Sequence, residues 1–188
     1  MAAASTSPML PALLLLIALA AATAGAAEMT ALDWACNFVG GWYVTPELCT
    51  SVLCADPSEP CRAARDAPAV AALAATLAVR NATATKGRVE AALAAHAGNV
   101  TVAKGIESCV QLYAGVVAIL QRAAQFVATR RYSDARQVLD AAYQDMLIGV
   151  PGRCEAMAGD AAALPRENEA FMNMALVAHA IIANMARD

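Results

Sequence analysis

Between Ile106 and Val127 the apolar residues recur at three- and four-residue steps: Ile106, Cys109, Val110, Tyr113, Val116, Val117, Leu120, Ala124 and Val127. That spacing lays one unbroken apolar face along a helix of about six turns. Val70, Leu73, Ala74 and Leu77 open a second stripe, with Asp66 as N-cap and Pro68 just inside, on a helix expected to run to about Ala97. Its stripe rotates at Gly87, after which Val89 and Leu93 lie on another face, so a bend or short break is expected there, and Gly98-Asn99 ends the element.

Ala135, Val138, Leu139, Ala142 and Met146 mark a further helix, capped by Ser133 and stopped by Gly149-Val150-Pro151-Gly152. Pro165 opens the last one, whose stripe is Phe171, Met174, Ala175, Ala178, Ile182 and Met185. Upstream, 31–56 reads as two short helices around Gly40-Gly41, with Thr45 and Pro46 starting the second, before Pro57-Ser58-Glu59-Pro60 breaks the chain. The expected fold is all-α: an up-and-down four-helix bundle over 67–188, preceded by a helical hairpin over 28–61.

The first 27 residues carry no charged side chain, and the apolar run Leu13–Leu19 gives way to Ala24-Gly25-Ala26. This predicts a secretory signal peptide over 1–27, cleaved after Ala26 or Ala27, and a single mature domain over 28–188. A basic residue before the run would be usual and is missing. Charges and turn formers follow from Glu28 onward, and no second long apolar segment is expected to anchor the chain, so no membrane partner is predicted.

Alanine dominates the facing positions, and each alanine buries little at roughly 25 cal/mol per Å². The six cysteines, Cys36, Cys49, Cys54, Cys61, Cys109 and Cys154, therefore matter. An even count behind a leader reads as three bridges; zinc fails on spacing, because no CxxC pair occurs and His96 and His179 lie far apart. No metal or cofactor is expected. The net charge of -3 without a basic run excludes nucleic acid as a partner.

Catalysis needs a nucleophile or metal beside a base, yet no HExxH, GxSxG, P-loop or dinucleotide turn occurs. His96 falls at a helix end, His179 at the edge of an apolar face, and Asp140 with Asp145 reads as a solvated face. The chain is not expected to be an enzyme. Two sequons occur, at Asn81 and Asn99; Asn99 sits at a helix junction and is the better glycan acceptor, whereas Asn81 falls on or near the buried stripe.

Cys36 and Cys49, with Thr45-Pro46-Glu47-Leu48 before the second, resemble the opening hairpin motif of the plant invertase and pectin methylesterase inhibitors. Glu107-Ser108-Cys109-Val110-Gln111-Leu112-Tyr113 is similar to that family's Cys-x-x-x-Tyr helix. Tyr132-Ser133-Asp134-Ala135 with Leu139-Asp140-Ala141-Ala142, and Arg153-Cys154-Glu155, resemble its later elements. The resemblance covers nearly all of the mature chain and extends to the family's pollen-allergen branch. Arg153 stands where many members carry Thr, and Cys54 and Cys61 are additional to the four-cysteine pattern. Within this frame we expect bridges Cys36 to Cys49, Cys54 to Cys61, and Cys109 to Cys154, the last tying the most periodic helix to a loop before the final one.

The resemblance implies a secreted protein inhibitor acting in the apoplast or cell wall, with pectin methylesterase as the expected target. Acid invertase is the alternative. Invertase inhibitors present a Pro-Lys-Phe element at a bundle loop, where this chain reads Arg130-Arg131-Tyr132. Those three residues are the target-binding candidates: Arg131 would pair with cleft carboxylates and Tyr132 would stack where a sugar sits. Against pectin methylesterase the resemblance implies a broader contact along the bundle helices. A carrier of small apolar ligands, holding its cargo in a cavity between helices, is a competing class, and an interaction or storage protein another.

Overall fold

The computed structural model describes residues 29–39, 44–57, 61–162 and 164–187, and among these no β-strand occurs. The leader 1–27, Gly40-Gly41, Ser58-Glu59-Pro60 and the side chains of Asp145 and Met146 lie outside the described residues.

Two short helices form the N-terminal hairpin, α1 (Ala31–Phe38) and α2 (Pro46–Leu53). Thr30 starts α1 with a reciprocal cap: Asp33 N–H donates to its Oγ1 at 3.1 Å, and its own N–H donates to Asp33 Oδ2 at 3.2 Å. Thr45 caps α2 by accepting from Leu48 N–H at 3.2 Å, and Pro46 takes the first position, where its missing N–H removes no bond. Leu32, Cys36, Cys49 and Leu53 point inward and are buried.

The bundle begins with α3 (Ala67–Ala95) and α4 (Val100–Ala128). It continues through α5 (Tyr132–Ala142), a π-helical segment Tyr143–Ile148 and α6 (Gly149–Ala158), and closes with α7 (Pro165–Met185). Helix α4 lies at the centre, packed on α3, α5 and α6, while α7 closes the ring against α3 and α5. The hairpin covers the α3–α7 side.

Four local expectations need correction. Helix α3 is unbroken through Gly87, because its buried face continues through Ala78, Ala82, Thr85 and Val89, small or polar residues that carry little apolar signal. Helix α5 starts at Tyr132 with Arg131 at the N-cap, so Ser133 lies within the helix rather than before it. Gly149-Val150-Pro151-Gly152 opens α6 instead of stopping the chain: Pro151 sits in the first turn, where no intrahelical donor is required. Cys154 consequently lies on a helix and not in a loop. Helix α4 is also long and apolar enough to span a membrane, so a second apolar segment does exist. Its stripe, however, is buried in the bundle, and Lys104, Glu107 and Arg122 face solvent.

Tyr113 anchors the core. It is fully buried, its hydroxyl donates to Asn168 Oδ1 at 2.7 Å, and its ring meets Phe171 edge-on with centroids 5.6 Å apart. Burial pushes its phenol up to about 12, so it stays a neutral donor throughout the physiological range. About two turns earlier, Gly105 lets α4 approach α6 closely, since a Cβ there would sit 2.2 Å from the carbonyl oxygen of Met157.

All three bridges form as expected: Cys36 to Cys49, Cys54 to Cys61 and Cys109 to Cys154. Their sequence separations are 13, 7 and 45. In the loop-entropy picture the longest contributes most, about 4 kcal/mol against about 2.4 for the shortest. Calorimetry on the paired alanine variants should therefore show a larger fall in Tm for Cys109/Cys154 than for Cys54/Cys61.

Helices α5 and α7 are braced at Asp140, which accepts from Arg136 Nε at 3.2 Å and lies 2.6 Å from His179 Nε2, with the Tyr143 ring stacked on His179. Partial burial alone would raise the Asp140 carboxyl, but its hydrogen bonds to His179 and Arg136, together with their charges, outweigh this and hold it below its usual 3.8. A depressed carboxylate stabilises the fold fully above its unfolded pKa and loses that contribution as pH falls through the folded value. Tm should thus decline below about pH 4, and Asp140→Asn should decline less steeply there while starting from a lower Tm at neutral pH.

Candidate functional site

The loop between α4 and α5 carries the three residues singled out for target binding. Helix α4 ends there in a Schellman turn: Arg131 N–H donates to the Phe126 carbonyl at 2.8 Å and Arg130 N–H to the Val127 carbonyl at 2.9 Å. This closure requires a left-handed residue at Arg130, and its φ is 58°, the sole positive φ on a non-glycine among the described residues. An arginine there is strained where glycine is the usual choice.

The side chains of the loop engage one another. Arg131 Nε donates to Asp134 at 2.6 Å, and its guanidinium lies 4.7 Å from the Phe126 ring centroid. Arg122 stands 5.8 Å from the same ring. Tyr132 is half-buried and packs against the core, while Arg130 is exposed. Arg122, Arg130 and Arg131 thus share the loop with Asp134, which pairs with Arg131, giving a basic tip on a chain of net charge -3. Sequence reading missed Arg122 and Phe126; their i, i+4 spacing, ending four residues before Arg130, is the signal that would have placed them.

The remaining candidates lie elsewhere. His96 closes α3 with Nδ1 at 2.9 Å from the Ala92 carbonyl oxygen, and His179 belongs to the α5–α7 brace. Asp140 is part of that brace as well, not a freely solvated carboxylate. No group of His, Cys, Asp and Glu among the described residues is arranged to hold a metal. On the opposite flank from the hairpin, Ser108, Gln111 and Leu112 of α4 face Arg153, Ala156 and Met157 of α6 across an open groove of about 580 Å³. Met157 is 44% exposed at its rim.

Because the left-handed conformation at Arg130 is imposed by the turn, Arg130→Gly should stabilise the fold by up to about 1 kcal/mol, read as a raised denaturation midpoint. Arg130→Ala should give no such gain.

Comparison with curated proteins and with solved structures finds no match. The sequence profile described as plant invertase/pectin methylesterase inhibitor matches residues 30–181, which takes in the hairpin, both long helices, the tip and most of α7. With most of its length matched, the chain belongs to the plant invertase/pectin methylesterase inhibitor family.

Proposed function

We propose that this protein inhibits pectin methylesterase, docking through the α4–α6 face of the bundle. Membership of the family supports a proteinaceous inhibitor of pectin methylesterase or invertase. The choice between them rests on the state of the tip. An inserted basic-aromatic pair needs free side chains, but Arg131 is already held by Asp134 and Phe126, and Tyr132 is packed into the bundle's edge. The α4–α6 groove is the better docking surface: it offers Leu112 and Met157 ringed by polar residues, the pattern of an apolar contact centre with a polar rim. A disulfide-locked bundle loses little conformational freedom when it binds.

The chain enters the secretory route by its segment 1–27 and acts in the apoplast or cell wall. Acid invertase is the second reading, favoured by the basic tip, whose Arg130 and Arg131 suit a cleft lined with paired carboxylates. A carrier of apolar ligands finds less support, since the grooves described, of about 310 to 640 Å³, are open at the surface.

Titration of the protein into pectin methylesterase and into acid invertase tests this. Met157→Asp should weaken inhibition of pectin methylesterase at least about tenfold, or 1.4 kcal/mol, with Arg131→Ala changing it less than about twofold. Inhibition of invertase alone, lost in Arg131→Ala by about 2 kcal/mol or more, would transfer the assignment to the second reading.

A further inference from the structure

Two sequons, Asn81-Ala82-Thr83 and Asn99-Val100-Thr101, occupy opposite structural situations. Asn99 is the N-cap of α4, and its Oδ1 accepts from Val102 N–H at 3.3 Å. A backbone N–H can be accepted only by the amide oxygen, so the capping bond leaves Nδ2 as the outward atom. Asn99, Val100 and Thr101 are all exposed, and Val100 is an unusually bare apolar residue at 67%. Asn81 lies in the middle of α3, within the groove where α2 and α7 meet that helix, beside Leu48, Val52, Asn173 and Met174. Its Oδ1 is wholly covered and has no hydrogen-bond partner among the described residues. A sugar on this amide would have to rise out of a groove walled by α2 on one side and α7 on the other.

We infer that Asn99 carries an N-linked glycan in the mature protein and that Asn81 does not. The inference rests on the secretory routing proposed above, which brings the chain to a membrane-bound transferase and a lipid-pyrophosphate-linked oligosaccharide. The Nδ2–C1 bond forms as the sugar's C1–O bond to the pyrophosphate breaks; Nδ2 gives up one proton and the lipid pyrophosphate leaves. Attachment through Nδ2 preserves the Oδ1 cap, so modification and helix initiation use different atoms of one amide. Helix α4 spans 29 residues, about 43 Å at the rise of an α-helix, which puts the glycan at the end of the bundle remote from Arg130. Exposed Val100 would be the apolar neighbour that the first sugar covers.

The full chain is expressed in plant suspension cells, and the protein from medium and from lysate is mapped by peptide mass before and after peptide N-glycanase, which leaves Asp where a glycan was removed. Glycan on the Asn99 peptide alone is the expected result, with Asn99→Gln removing all added mass and Asn81→Gln none. Since Asp caps as well as Asn, deglycosylation should shift Tm by less than about 2 °C, whereas Asn99→Gln, which cannot cap, should lower it further. Secreted chain with unmodified Asn99, or with glycan at Asn81, overturns the inference. Chain confined to the cytosol and unmodified overturns it together with the secretory routing. None of these readouts depends on which enzyme is inhibited.

Discussion

Helix α4 must pack against three neighbours at once, and much of their buried surface is alanine. Ala71, Ala74, Ala75, Ala78 and Ala82 of α3 are all buried, and such contacts bring helices close while contributing little area each. The bundle therefore depends on a short stretch of α4 where stronger links concentrate. Cys109 ties it to α6 through Cys154, and one turn on Tyr113 ties it to α7 through Asn168 and Phe171. Tyr113 is costly to alter, because its loss would leave a cavity and an unsatisfied amide together. Gly105 belongs to the same stretch, since only its bare Cα admits the α6 backbone.

The tip is organised by backbone bonds first and side chains second. Once α4 ends in a Schellman turn, two orphan carbonyls are satisfied and Arg131 is delivered to the start of α5. The Arg131–Asp134 pair is exposed, and an exposed pair adds little stability, so its role is to fix where the guanidinium points. The turn imposes the left-handed conformation at Arg130, whose side chain stays exposed.

What the sequence made legible follows from how strong each local signal was. The α4 stripe was readable because large apolar residues repeat at helical spacing, and Thr45-Pro46 and Asp66 marked helix starts by capping chemistry that acts within three residues. The bridges followed from resemblance rather than from spacing. Gly87 misled because Ala82 and Thr85 carry the buried face without apolar weight, and Gly149 to Gly152 misled because glycine and proline in a first turn break nothing. The tip residues were located, but their engagement was not, because Phe126 reaches Arg131 only once the turn folds the chain back, whereas the i, i+3 spacing to Asp134 was there to be read.

The two flanks of the bundle are unequal, and that asymmetry bears on binding. The hairpin lies on the α3–α7 side, sealed there by buried Leu32, Val44 and Leu53 and tied at its edges by Arg62 to Asp33 and Arg80 to Asp56. Those ion pairs are exposed and worth little on their own, so burial and two local disulfides hold the hairpin in place. The α4–α6 side carries an open groove away from the hairpin, and it is backed directly by the Cys109–Cys154 bridge and the Gly105 contact. Rigid support beneath an open, partly apolar groove lowers the entropy lost on docking. The most constrained part of the core thus lies directly behind the face proposed for docking.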